Sequence, residues 1–298
     1  MASGAASCLA GCALIRSGDG NAEFRELERA AHACLGMAAL DVRTESFLSY
    51  RGDERFPMCS TAKLMIAGAI LRVSMRDTAL LSRRIEYDRG DFVPYSPITE
   101  KWLAQGMTVA QLCAATLQYS DNTAGNLLLR LLGGPEEVTA FAREIGDEVF
   151  RLDRWEPDLN SAIPGDERDT TTPLAMVKSM RRLLLGDALA LPQRARLQEW
   201  MRGNTTGDKR IRAGVPPGWT VADKTGAGAY GVCNDVGVLW PPGRDPVVLA
   251  LYTRHSDPLA RPDEALIAEA TRRVVRIRDQ MPGIRYQPLG ARASRPLF

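Results

Sequence analysis

Residues 219–252 read WTVADKTGAGAYGVCNDVGVLWPPGRDPVVLALY. Three β-rich runs lie within them, Trp219 to Lys224, Gly231 to Trp240 and Val247 to Tyr252, separated by Gly/Pro turns such as Pro241-Pro242-Gly243. Upstream, from Pro57 to about Trp200, the patterns are mostly helical, with breaks at Asp77, at Pro94 and Pro97, at Gly133-Gly134-Pro135 and between Pro157 and Pro173. Nearer the N-terminus, residues 22 to 35 place Phe24, Leu27, Ala31 and Leu35 at helical spacing. Gly36 then opens an apolar run, Met37 to Val42, that reads as a strand, and a second strand follows around Phe47 to Tyr50. Residues 262 to 279 read as a closing amphipathic helix. Neither β piece could bury enough surface alone, so the two most economically share one antiparallel sheet. The expected fold class is α/β (α+β), a five-stranded antiparallel sheet flanked by terminal helices with an all-helical lobe inserted. In residue terms, 22–56 and 203–280 form a discontinuous α/β domain and 57–202 an all-helical domain. Residues 1–21 are a leader or disordered segment, and 281–298 a proline-bearing tail. There is no internal repeat and no low-complexity tract.

Composition removes several functions. The 298 residues are 45% hydrophobic and 25% charged, and 38 Lys+Arg against 36 Asp+Glu leave a net charge of +2. So balanced a charge argues against nucleic acid or a membrane surface as partner. Only His32 and His255 are available, which excludes a three-His zinc site and would require both in any two-His site or Ser-His-Asp hydrolase. No metal or cofactor is expected. Cys8, Cys12, Cys34, Cys59, Cys113 and Cys233 include no CxxC pair, so neither a zinc ribbon nor a dithiol redox motif is present. The first fifteen residues are small and apolar, and Leu9-Ala10-Gly11-Cys12 is similar to a lipoprotein processing site, but no Lys or Arg precedes it. Export through this segment and a disordered or truncated leader both remain open readings. Elsewhere no apolar stretch approaches the roughly 18 residues that would span a bilayer.

Three short motifs carry nucleophilic chemistry. Ser60-Thr61-Ala62-Lys63 opens the apolar helical run Leu64 to Leu71, so Ser60 sits at a helix N-terminus with Lys63 on the same face. A serine hydroxyl needs a base within reach, and a lysine in a cationic, partly desolvated site can serve. The helix terminus also directs backbone N–H groups at a developing oxyanion. Ser120-Asp121-Asn122 follows the helical stretch Thr108 to Gln118 and by itself reads as a turn or cap. Lys224-Thr225-Gly226 ends the Trp219 strand, projecting an ammonium and a hydroxyl at a sheet edge.

Taken in this order, SxxK, SDN and KTG make up the set of class A β-lactamases and penicillin-binding proteins. The sequence closely resembles a class A serine β-lactamase, within the penicillin-binding-protein-like serine acyltransferase superfamily, over residues 22 to 280. A fourth element, Glu156-Pro157-Asp158-Leu159-Asn160, matches the family's ExxLN loop. The resemblance implies that Glu156 and Asn160 hold the water that attacks the acyl-enzyme, and that Arg154 and Asp169 close the loop as an ion pair. It implies Ser60 as nucleophile, with Lys63 or Glu156 as the base for acylation. Ser120 would relay a proton to the leaving nitrogen, and the backbone N–H groups of Ser60 and Ala227 would hold the oxyanion. Substrate would meet Lys224, Thr225, Gly226 and Arg210 through its carboxylate and Asn122 through its acylamide group. Arg210 is the expected source of charge because Cys233 occupies the position where other members carry an arginine. Tyr95 matches the aromatic at the cleft entrance, as a substrate contact or a half-buried loop anchor.

The family's carbapenemase-type disulfide from Cys59 would end at Gly228 and is therefore missing, and the helical-lobe partner of Cys113 falls at Ala67. A Cys59 to Cys233 bond requires Cα atoms within about 7 Å. Buried thiols are the expected state. The implied activity is hydrolysis of the β-lactam amide of penicillin- and cephalosporin-type antibiotics. The implied protein is a monomer with a small-molecule β-lactam substrate, periplasmic or secreted, with lipid attachment at Cys12 as one form and no stable membrane insertion. A D-alanyl-D-alanine peptidase and an acyl-trapped β-lactam sensor remain as alternatives; neither needs Glu156 and Asn160.

Overall fold

The computed structural model describes residues 20–280. Nearly all of the expected leader, the Cys12 processing site and the 281–298 tail lie outside the described residues. Helix α1 (Gly20–Ala31) buries Phe24 and Leu27. It ends earlier than its apolar spacing predicts: Leu35, expected on the last turn, belongs to strand β1 (Cys34–Asp41). His32 takes a left-handed conformation (φ 49°), which a right-handed helix cannot continue through. Leu35 is buried either way, so its apolar character does not separate the two readings.

Strands β2 (Ser46–Tyr50), β3 (Thr220–Ala227), β4 (Cys233–Trp240) and β5 (Val247–Arg254) complete one sheet in the order β2-β1-β5-β4-β3, every neighbouring pair antiparallel. Strands from the two ends of the chain thus meet at β1 and β5, with Ala38 opposite Ala250. Lys224-Thr225-Gly226 lies inside β3, which continues to Ala227, rather than ending it. Glycine does not break the strand here because Gly226 still pairs with Asn234 of β4.

The remaining helices are α2 (Lys63–Ser74), α3 (Val109–Gln118), α4 (Asn122–Leu132), α5 (Pro135–Glu144), α6 (Pro173–Met180), α7 (Leu191–Arg202), the short α8 (Ile211–Gly214) and α9 (Glu264–Gln280). The stretch expected to be all-helical also carries a two-residue ladder, Arg84–Ile85 with Met107–Thr108. Leu35, Met37, Leu249 and Leu251 pack one face of the sheet against Phe24 of α1 and Leu266, Ile267 and Val274 of α9. Ala38, Leu40, Val236, Val248 and Ala250 on the other face join the core of the helical region, in which α2 is buried on nearly all sides. Burial of both faces explains why β1 and β5 read as continuous apolar runs rather than alternating ones. No described helix is long and apolar enough to cross a membrane.

The sheet meets the segment leading to the nucleophile at a close approach. A Cβ on Gly36 of β1 would lie 2.3 Å from Phe56 Cε2. Phe56–Pro57 in turn pairs with Thr170–Thr171, next to the loop that bears Glu156. Gly36→Ala should therefore cost about 1–3 kcal/mol of overpacking, read as a lower urea midpoint at unchanged slope. An unaltered midpoint would mean that Phe56 moves aside freely.

Candidate active site

Ser60 lies in a 3-10 turn (Cys59–Ala62) that runs directly into α2. Residues three apart eclipse in such a turn, and Lys63 Nζ donates to Ser60 Oγ at 3.0 Å. The turn is pinned from below, where Thr61 Oγ1 donates to Met58 O at 2.8 Å. Lys63 is only 1% exposed. Its ammonium also reaches Ser120 O (2.7 Å) and Asn122 Oδ1 (2.5 Å), and it stands 2.9 Å from Glu156 Oε1. An ammonium has three protons, so these acceptors compete. The bond to Ser60 can be made or released without stranding the buried charge.

Ser120 turns the chain between α3 and α4 with a left-handed backbone (φ 59°). Asp121 faces away from the cleft: its carboxylate accepts from the N–H groups of Ile98 (2.9 Å), Thr99 (2.9 Å) and Ala124 (2.8 Å), capping α4. This anchor holds Ser120 and Asn122 on either side of it. Asn122 Nδ2 donates to Pro94 O at 2.8 Å, and its backbone N–H donates to Tyr95 O at 3.0 Å. Tyr95 anchors through that carbonyl while its side chain is exposed, so it is not a half-buried packing residue.

Lys224 is fully buried on β3 and donates to Ser120 Oγ (3.1 Å) and Thr225 O (2.8 Å). Burial pushes its pKa well down, and the like charges of Lys63 and Arg210 push it further. Ser120 Oγ thus lies between two lysine nitrogens, with Lys63 Nζ at 3.5 Å. Gly226 permits β3 to lie against the nucleophile turn, since a Cβ there would be 2.7 Å from Met58 O.

The 153–170 loop is closed by Arg154 Nε donating to Asp169 Oδ2 at 2.5 Å, while Asp169 Oδ1 accepts from Asp153 N and Arg154 N. Within it Asn160 Nδ2 donates to Glu156 Oε2 at 2.5 Å. Asn160 Oδ1 is buried without a hydrogen-bond partner among the described residues, whereas Glu156 Oε1 is held there by its ion pair with Lys63 alone, so the Asn160 oxygen is the uncommitted acceptor at this point. Because Lys63 Nζ touches both, the Ser60 hydroxyl and the Glu156 carboxylate are separated by no more than those two contacts laid end to end.

Arg210 is buried behind β3. Its Nη1 donates to Gly226 O (2.9 Å) and Asn234 O (2.8 Å), and its Nε to Glu264 Oε1 (3.2 Å). Beside it Asp235 is fully buried, and both burial and the Asp223 charge push its carboxyl pKa well up. Cys59, Cys113 and Cys233 are free, buried thiols, and no Cys59 to Cys233 disulfide is formed. Burial pushes the Cys233 thiol up to about 12. A Cβ on Gly228 would sit 2.6 Å from Cys59 Sγ.

Two positioning residues escape a reading of motifs. Asn126 brackets Glu156 by accepting from its N–H and donating to its carbonyl, both at 2.9 Å. Its place four residues beyond Asn122 on α4 is the signal that could have found it. Asn234 Nδ2 donates to Pro57 O (2.8 Å) and Met58 O (3.1 Å), tying β4 to the backbone just before Ser60. No local pattern marks it.

Residues 21–277 match the model of the β-lactamase enzyme family. The chain is 54% identical over 254 residues to β-lactamase FAR-1 of Nocardia farcinica, an alignment covering 85% of this chain and 81% of that protein. It is 53% identical over 250 residues to the carbapenem-hydrolysing β-lactamase KPC of Klebsiella oxytoca, covering 84% of this chain and 85% of the relative. Among solved structures, the β-lactamase from Desulfarculus baarsii DSM 2075 superposes with a TM-score of 0.86 at 54% identity, covering 87% of this chain and 96% of that one. A tryptophan-to-aspartate mutant of the last common ancestor of Gram-negative bacteria class A β-lactamase superposes with a TM-score of 0.85 at 52% identity, covering 89% and 100%. The sheet assembled from both chain ends, the four motifs on its rim and these likenesses agree, and the chain belongs to the β-lactamase enzyme family as a class A serine β-lactamase.

Proposed function

We propose that the protein hydrolyses the β-lactam amide of penicillin- and cephalosporin-type antibiotics through an ester on Ser60 that Glu156-activated water cleaves, conferring resistance. The observation that carries this reading is the single ammonium of Lys63 in contact with both Ser60 Oγ and Glu156. Substrate carboxylate docks against Lys224 and Thr225, within the positive field of Arg210 behind Gly226, and Asn122 meets the acylamide group. Docking brings the lactam carbonyl beside Ser60. Ser60 Oγ attacks the carbonyl carbon while its proton leaves to Lys63, once the Lys63 ammonium has passed a proton to the Glu156 carboxylate beside it and become a neutral amine, or through a water to Glu156. The oxyanion is held by the N–H groups of Ser60 and Ala227, each such donor typically contributing about 3 kcal/mol. Ser120, between two lysine nitrogens, delivers its proton to the lactam nitrogen as the C–N bond breaks and regains one from Lys63, which Glu156 then reprotonates. Water held by Glu156 and Asn160 then attacks the ester, Glu156 takes its proton, and Ser60 is restored as a ring-opened acid leaves.

The buried Glu156 carboxylate beside Lys63 and the uncommitted Asn160 Oδ1 support hydrolysis over the peptidase and sensor alternatives, which have no use for a deacylating carboxylate. The same reading implies a monomer acting in the periplasm or outside the cell. The test is a chromogenic cephalosporin in large excess over enzyme, which should be consumed over many turnovers. A burst of one equivalent followed by arrest would identify an acyl-trapped sensor. Cleavage of a D-alanyl-D-alanine peptide without lactam turnover would identify the peptidase.

A further inference from the structure

The Thr225 hydroxyl, which meets the substrate carboxylate in the proposed reaction, is already engaged. Its Oγ1 lies 2.5 Å from Thr206 Oγ1. Thr206 Oγ1 is also 2.8 Å from Asn204 Oδ1, and Thr206 N donates to the same oxygen at 3.1 Å. A hydroxyl carries one proton and an amide oxygen none. Thr206 must therefore donate to Asn204, and between the two threonines it can only accept. The proton of Thr225 accordingly points at Thr206, leaving only lone pairs for an incoming anion.

The direction of this relay depends on how the Asn204 amide is turned, which the surroundings determine. Asn204 Nδ2 is 2.6 Å from Asp223 Oδ2, whose other oxygen accepts from Arg212 Nε at 2.8 Å. Reversing the amide would set oxygen against carboxylate and NH2 against the Thr206 N–H. Burial raises the carboxyl pKa of both Asp223 and Asp235, and the Asp223 charge raises that of Asp235 further. Asp223 accepts from Asn204 and is paired with the Arg212 guanidinium, whereas among the described residues Asp235 accepts from the Ile211 N–H alone, so Asp223 is the acceptor that fixes the Asn204 amide. Close packing seals the arrangement, since a Cβ on Gly207 would lie 2.0 Å from Asp223 Oδ2.

We propose that Thr206 is a specificity-determining positioning residue of the carboxylate subsite, holding the Thr225 proton in the free enzyme and returning it when a carboxylate binds. The inference rests on the β-lactam reading of that subsite. No proton changes owner. On binding, the Thr225 O–H turns to the carboxylate and the Thr206 O–H turns from Asn204 Oδ1 to Thr225 Oγ1, while Asn204 Oδ1 keeps the Thr206 N–H. Two hydroxyl hydrogen bonds exist before binding and two after. An enzyme with valine at 206 has no such bond to give up and gains one with the substrate.

The test measures the Kd of a cephalosporin and of its carboxylate methyl ester, using the full chain in a Ser60→Ala background that binds without acylating. Adding Thr206→Val should tighten binding of the acid about three- to tenfold, the worth of one net hydrogen bond, and leave the ester unchanged. Adding Thr206→Ser, which restores the hydroxyl, should bring the affinity for the acid back to that of the Ser60→Ala protein. Equal or weaker binding of the acid with valine, or the same gain for the ester, would overturn the relay while leaving the hydrolase reading intact. Failure of the Ser60→Ala protein to bind either compound would overturn both.

Discussion

Glu156→Gln is expected to stop the cycle halfway, with the intact protein gaining the mass of one unfragmented penicillin and holding it for minutes. Glutamine is isosteric, and its amide oxygen can still accept from Asn160 Nδ2, which now donates to Glu156 Oε2 at 2.5 Å. It cannot take a proton from water, and a well-placed general base is typically worth 10²–10⁴-fold. Steady-state turnover should fall by roughly that factor while the burst of acylation survives. The substitution also removes the carboxylate 2.9 Å from the buried Lys63 ammonium. Leaving one member of a buried pair without its partner is costly, so acylation should slow as well, though less than deacylation. Unmodified protein turning over at the wild-type rate would refute the assignment of Glu156.

Ser60→Ala should produce the largest loss, on the order of 10⁶-fold in turnover, as removal of a serine nucleophile does in other hydrolases. The fold should be unaffected, because among the described residues the Ser60 side chain has one hydrogen-bond partner, Lys63, and that ammonium keeps Ser120 O, Asn122 Oδ1 and Glu156. The chromogenic assay should read at background while thermal unfolding matches the wild type and no covalent adduct forms with penicillin. Adduct formation by the alanine variant would locate the nucleophile elsewhere.

Much of this site is legible from local sequence because its parts are local. Ser60 and Lys63 share a face by their spacing alone, and the eclipsed geometry of a 3-10 turn strengthens that pairing. The sheet is legible because β1, β4 and β5 are runs of strand formers bounded by turns. Boundaries are less so: Leu35 satisfies a helical stripe and a buried strand equally, and the choice falls to the backbone at His32. Lys224 illustrates a second limit. A Gly-rich continuation reads as the end of a strand, yet the pairing of Gly226 with Asn234 carries β3 onward and turns the KTG segment into a sheet edge beside the nucleophile.

From sequence alone the kinds of chemical group, their order along the chain and the secondary structure around each could be stated, because periodicity and turn preference act over a turn or two of backbone. The tertiary structure alone decides that one ammonium touches both Ser60 and Glu156, that Asn126 and Asn234 hold the two reacting segments, and that the Thr225 hydroxyl lies against that of Thr206. Each of these depends on a distance of about 3 Å between segments remote in the chain. A change of one ångström removes a hydrogen bond, and no local pattern encodes displacements that small.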